Sequence, residues 1–187
     1  MFHYTAEQLN KKQQYKFVSG SVIPRPIAWV TTLSKDGSVV NAAPFSFFSA
    51  ASNELPLLTV AILRKDGVIK DTARNILDRK EAVVHIVDQS VVEDMNQTSA
   101  PLSPDESELD YTSLTLIDSL SVQVPSIVGA KIRFEGVLHQ YVPIKDEHDN
   151  IVTDFFFIRV TDFFFDETVF DQEKEYILTD KLNPVAR

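Results

Sequence analysis

The chain has 187 residues, 44% hydrophobic and 24% charged, the size of one ordinary domain with enough apolar side chain to bury a core. Its net charge of -9 repels phosphate polymers and anionic lipid, which argues against nucleic-acid and membrane-surface partners. The absence of cysteine excludes disulfides, thiolate metal centres and thiol redox chemistry, so any electron transfer needs a borrowed cofactor.

The opening stretch MFHYTAEQLNKKQQYKF is polar and mixed in charge, without the apolar run of a secretion signal. No segment reaches the roughly 18 apolar residues of a membrane span, and a cytoplasmic protein is expected. Pro26 to Leu33, PIAWVTTL, is rich in β-branched and aromatic residues and predicts a strand. Asp36-Gly37 supplies the hairpin turn, and a second strand should follow from Val39. Leu58 to Arg64 is almost continuously apolar and predicts a buried central strand that breaks at Asp66-Gly67. Lys70 to Lys80, KDTARNILDRK, predicts a short helix with Ile76 and Leu77 on one side and Asp71 or Thr72 as N-cap.

Glu81 to Asp88 returns as a strand, and Ser90 to Ser99 reads as helical until Pro101 and Pro104 close it. The acidic run DESELD that follows reads as a solvated face. In the last third, AKIRFEGVLHQYVPI and DFFFIRVTDFFF alternate well enough to be long antiparallel strands joined through KDEHDN. About six strands with short helices outside them favour a closed β-barrel over a doubly wound sheet. No linker or repeat divides the chain, so residues 1–187 are expected to form one domain.

The five glycines are too scattered for a phosphate-cradling loop, and the four histidines lack metal-ligand spacing, so neither a nucleotide fold nor a metal site is expected. Where KDTARN opens a helix, free backbone N–H groups, the Thr72 hydroxyl, the Asn75 amide and the cations Lys70 and Arg74 can converge on a phosphate. The same residues also describe an ordinary helix start with solvated cations. In NAAPFSFFSAAS, Pro44 cannot donate to a β ladder, which predicts a bulged or edge strand with neighbouring amides free for a planar heteroaromatic ring. The phenylalanines there, and the single Trp29, read first as packing. Phe155 to Phe157 and Phe163 to Phe165 put aromatics on both faces of one strand, which a subunit interface or the chain itself must bury.

With these blocks in view, the chain resembles the flavin reductase-like proteins with an FMN-binding split barrel, the group that includes flavoredoxins. PRPIAWVTTLSKDGSVVNAAPFSFFSAAS, KDTARNI, MNQTSAP and LNPVAR carry the resemblance, in that order, from about Ile23 onward. It implies a mainly β fold, a six-stranded Greek-key split barrel with flanking helices, and a homodimer with FMN in a groove near the subunit boundary. It implies that Asn41, Ala43, Pro44, Phe45 and Ser46 face the isoalloxazine, with Thr31 and Thr32 on the adjacent strand. Lys70, Thr72 and Asn75 would meet the phosphate, and Arg25, Ser49 and Arg64 would be further contacts. Members commonly continue past the Pro-Val-Ala-Arg block, so part of the pocket wall is expected to be absent here.

The implied activity is an NADH- or NADPH-dependent flavin reductase passing electrons to a free flavin, a partner oxygenase or an electron-transfer protein. No catalytic acid or base is expected, because the flavin does the redox chemistry. A flavoredoxin-like carrier that binds FMN without oxidising NADH or NADPH stands as the alternative.

Overall fold

A computed structural model describes Met1–Arg187. In chain order, helix α1 (Lys11–Ser21) precedes strands β1 (Ala28–Leu33), β2 (Val40–Phe45), β3 (Phe48–Ala50) and β4 (Leu57–Leu63). Helix α2 (Asp71–Arg79), strand β5 (Glu81–Ile86) and helix α3 (Val92–Gln97) follow. Short strands β6 (Leu116–Ile117) and β7 (Ser126–Ile127) lead into the long pair β8 (Ile132–Lys145) and β9 (Ile151–Phe165). Strands β10 (Phe170–Asp171) and β11 (Tyr176–Ile177) and helix α4 (Thr179–Leu182) end the fold.

One seven-stranded antiparallel sheet runs in the order β2-β1-β5-β8-β9-β4-β3. Its two terminal strands, β2 and β3, are consecutive in the chain and separated by Ser46 and Phe47 alone, so the sheet curls until its edges share one run of backbone. Counted as one bent strand, they give the six-stranded Greek-key split barrel, with the β4-to-β5 connection crossing through α2. At the seam the Ala61 N–H donates to the Phe47 carbonyl at 2.9 Å. The β1–β2 loop closes by Ser34 N–H to the Val39 carbonyl, with Gly37 at φ 81, a value that favours glycine.

The barrel interior is filled by Ala28, Val30, Phe45, Val60, Ile62, Ile76, Ala82, Val84, Phe156 and Ile158. The other face of β1 is covered as well: Ile27, Trp29 and Ala42 pack with Val87, Val91, Met95 and Ile127 under α3 and the following loops. Trp29 donates its indole N–H to Thr98 Oγ1 at 2.9 Å and is wholly buried, the packing role expected of it. Gly136 sits at a register shift between β8 and β9, where an added Cβ would lie 2.7 Å from Ile158 Cγ2 and 2.9 Å from the Arg159 carbonyl.

Three expectations change. The β4 strand fully buries only Val60 and Ile62 and leaves its remaining residues half-buried, and it lies next to the sheet edge, between β9 and the short β3, rather than at its centre. Lys70, not Asp71 or Thr72, occupies the N-cap position of α2, since the backbone turns helical at Asp71 and the Thr72 hydroxyl bonds elsewhere. The acidic run is not wholly solvated, because Glu108 is 7% exposed and bonded to β2. The aromatic strand divides as alternation requires: Phe156 points into the barrel, while Phe155 and Phe157 pair at 5.1 Å on the outer face and Phe163 stays 52% exposed.

Candidate functional site

A cleft of about 640 Å³ opens where β2, the chain entering α2 and the loop after α3 meet. Its first wall is β2, through Asn41, Ala43, Pro44 and Phe45. Val40's carbonyl accepts from Ser107 Oγ and Ala42's N–H donates to Glu108, so these groups face away from β1. Antiparallel strands point backbone groups of alternate residues to the same edge, so Pro44 also faces outward and its missing N–H costs the β1 ladder nothing. The expected edge placement of Pro44 is thereby met, and it leaves a carbonyl-bearing rim beside the cleft.

The second wall is Lys65, Asp66, Val68, Ile69, Lys70 and Asp71. Asp66 and Gly67 adopt φ 53 and 77, turning the chain back from β4 towards α2. Lys70 extends its ammonium over the Phe45 ring, 5.6 Å from the centroid, within cation–π range. Asp71 is held by Arg74 at 2.6 Å, which engages that guanidinium within the helix. The third wall is Thr98 to Leu102, with Glu108 below it and Arg187 beside it. Lys65, Lys70 and Arg187 are matched by Asp66, Asp71 and Glu108, so the cleft is zwitterionic rather than basic.

A buried polar network underlies the floor. Thr72 Oγ1 donates to Asn41 Oδ1 at 2.6 Å, and Thr32 Oγ1 donates to the same oxygen at 3.3 Å. Asn75 Nδ2 donates to Thr32 Oγ1 at 3.1 Å, and Asn41 Nδ2 donates to both Glu108 oxygens at 2.7 and 2.9 Å. These partners fix the Asn41 amide with its oxygen towards α2 and its nitrogen towards the loop. Burial raises the Glu108 carboxyl above its ordinary value; the amide donors oppose this, and the charge of Asp71 adds to it.

Of the residues the sequence nominated, Asn41, Ala43, Pro44, Phe45 and Lys70 line the cleft itself. Ser46 lines an adjoining cavity of about 470 Å³ that shares Pro44, Phe45, Ser99 and Arg187 with it. Thr32, Thr72 and Asn75 enter through the network beneath. The remaining four side chains bond elsewhere. Thr31 Oγ1 donates to the Pro125 carbonyl at 2.8 Å, and Ser49 Oγ to the Ala50 carbonyl at 3.0 Å. Arg25 reaches the Ser19 and Val22 carbonyls at the end of α1. Arg64 forms a two-pronged pair with the fully buried Asp154, 2.8 Å on each prong, and Tyr141 donates to the same carboxylate at 2.7 Å.

Sequence reasoning missed Glu108. Its one local signal is Leu109, the apolar residue in the acidic run, which packs on the Trp29 cluster and draws its neighbour inward. A wider groove of about 950 Å³ along Phe163, Phe165 and Phe170 contains none of the nominated residues.

The donor set suits a phosphorylated heteroaromatic molecule: Lys70 beside a helix start, with Lys65 and Arg187 also on the lining, and a stiff β edge, in a volume within the ordinary range for small-molecule clefts. The family model for the flavin reductase like domain matches residues 19–180. Uncharacterized protein YwrF of Bacillus subtilis is 48% identical over 187 residues, covering 100% of this chain and 91% of its own. Nitrilotriacetate monooxygenase component B from Bacillus cereus superposes with a TM-score of 0.95 at 38% identity, over 100% of this chain and 91% of that one. The 2-nitrobenzoate 2-nitroreductase NbaA of Pseudomonas fluorescens does so with a TM-score of 0.88 at 31% identity, over 100% and 87%. No helix is long and apolar enough to cross a membrane.

Proposed function

Since the chain belongs to the flavin reductase-like domain family, we propose that its cleft holds FMN and that the protein is an NADH- or NADPH-dependent flavin reductase, with residues 1–187 as one functional unit. The observation that carries this is the meeting of β2's outward edge with Lys70 and the start of α2 across one cleft. The chemistry supplied by a bound FMN is acceptance of hydride from the pyridine nucleotide and delivery of electrons to a free flavin, a partner oxygenase or an electron-transfer protein. An oxygenase partner is supported by the 38% identity to a protein whose own name makes it a monooxygenase component.

The chain's residues bind, orient and exclude water. Lys70 and the unpaired N–H groups at the head of α2 meet the phosphate, where helix dipole and ammonium add. Thr72, with its hydroxyl proton committed to Asn41, holds the cleft floor rather than donating outward, and Thr32 and Asn75 stiffen the same floor. Backbone groups from Ala43 to Ser46 follow the ring edge, fixed in direction by Pro44. Phe45 and the Thr98–Leu102 wall keep water from the reacting face, which strengthens every electrostatic contact inside. No side chain of the cleft is required to move a proton, so no catalytic residue is assigned. A second copy of the chain is the natural cover for the outer Phe155 and Phe157 face, giving a homodimer.

Anaerobic stopped-flow mixing of the FMN-loaded protein with NADH and with NADPH tests the activity. Bleaching of the visible flavin band with one of them is expected. A loaded protein that neither nucleotide bleaches would be a carrier, and a protein that takes up no FMN would overturn the flavin site itself.

A further inference from the structure

The loop that walls the cleft brings in a carboxylate that hydride transfer does not need. Ser107 and Glu108 stitch this loop to β2, the first through the Val40 carbonyl and the second through Asn41 and the Ala42 N–H at 3.1 Å. All of Glu108's partners are neutral donors, and none of the ion pairs of the fold includes it. A buried carboxylate satisfied only by neutral donors has no counter-charge beside it, so when it is ionised its field acts at long range through a poorly screening medium.

Its position relative to the phosphate end is close. One amide group, that of Asn41, separates the Glu108 oxygens from Thr72 Oγ1, at 2.7 Å on one side and 2.6 Å on the other. Across the cleft from the carboxylate lie Lys70 and Asp71, the latter adding to its upward shift and itself paired with Arg74. From the chain before α2 the cleft contributes Lys65 and Asp66, and Glu108's own loop adds Asp105, Glu106 and Asp110. The β1 and β2 strands offer only the neutral Thr32 and Asn41 on this side.

Resting on the flavin site argued above, we propose that Glu108 is the specificity-determining anion of the cleft: it selectively weakens the hold on a doubly charged phosphomonoester, so that FMN is kept as an exchangeable ligand. Lys70 and the helix start attract the phosphate while Glu108 opposes its second charge, which holds the net affinity low enough for exchange. The upward displacement of the Glu108 carboxyl by burial is consistent with this, since a proton taken up with the ligand relieves the opposition.

The test compares FMN, riboflavin and riboflavin 5′-sulfate, a monoanion of the same shape, by quenching of flavin fluorescence. Glu108→Gln removes the charge and keeps one acceptor oxygen for the Asn41 amide, while its amide nitrogen takes the place of the second oxygen that accepts from Asn41 and Ala42. It should tighten FMN about tenfold, roughly 1.4 kcal/mol, and leave riboflavin within about twofold. Unchanged FMN affinity, or equal changes for FMN and riboflavin, would overturn the proposal and make Glu108 a loop anchor alone. A measurement on the unsubstituted protein is independent of how the variant folds. At ~pH 8, where the phosphate is doubly ionised, the sulfate ester should bind more tightly than FMN, and the preference should shrink towards ~pH 5.5. Tighter binding of FMN at the higher pH overturns it. If no flavin binds the unsubstituted protein, the flavin site fails first and this proposal with it.

Discussion

Lowering the pH below neutrality should destabilise this fold through one histidine. His85 is wholly buried on β5; its Nδ1–H donates to the Trp29 carbonyl at 2.9 Å and its Nε2 accepts the Ile127 N–H at 2.9 Å. The neutral ring satisfies both neighbours, whereas a second ring proton would face the Ile127 N–H donor to donor. Burial, with the nearby Arg133 charge adding to it and the Trp29 carbonyl opposing, pushes the imidazolium pKa from 6.5 down to about 4. Between those values the unfolded chain holds the proton and the folded chain does not, so stability is complete above pH 6.5 and is lost as the pH falls towards 4. At about 1.36 kcal/mol per pH unit the loss is about 3 kcal/mol. Urea unfolding followed by Trp29 emission across this range measures it, and NMR titration of the ring gives the pKa directly. His85→Gln retains one donor and one acceptor and should flatten the slope. An unchanged slope in that variant, or a ring that titrates near its ordinary value, would refute the reasoning.

The Arg64–Asp154 pair should carry stability rather than flavin affinity. Arg64→Ala strands a fully buried carboxylate and should cost about 3–5 kcal/mol in urea unfolding, while FMN affinity at permissive temperature stays the same; a loss below about 1 kcal/mol would contradict the burial argument. Gly136→Ala forces a methyl against Ile158 and the Arg159 carbonyl, which should lower stability by about 1–3 kcal/mol in the same assay. Replacing Lys70 and Thr72 together by alanine should weaken FMN at least tenfold, roughly 1.4 kcal/mol, and riboflavin far less. Equal losses for both flavins, read by fluorescence titration, would remove the phosphate from this end of the cleft.

Much of the fold is legible from local chemistry. PIAWVTTL and EAVVHIVD declare strands by β-branching, and β8 and β9 declare themselves by alternation over lengths no helix would show. Pro44 marks the open edge beside which the cleft lies, because an edge is where a strand tolerates proline. What stays hidden depends on partners remote in sequence. Arg64 cannot be told from a ligand-binding cation until Asp154, 90 residues further along the chain, arrives on the neighbouring strand β9. Glu108 looks like any carboxylate of its acidic run until Leu109 is anchored and β2 presents unpaired backbone to it. The half-exposure of β4 reflects what lies next to the sheet, which an apolar run does not encode.

The junction at Ser46 and Phe47, where one edge of the curled sheet passes into the other, gives the cleft a mechanical meaning. Elsewhere the wall is knitted by ladders, but here continuity of the main chain and the Ala61-to-Phe47 contact do the joining. If FMN lies along β2 as proposed, it would work as a clasp on a bracelet, spanning the gap that the weave leaves and stiffening the hoop at that point. Hydrogen exchange of amides from Asn41 to Phe48 should accordingly slow on loading while those of β8 and β9 hardly respond.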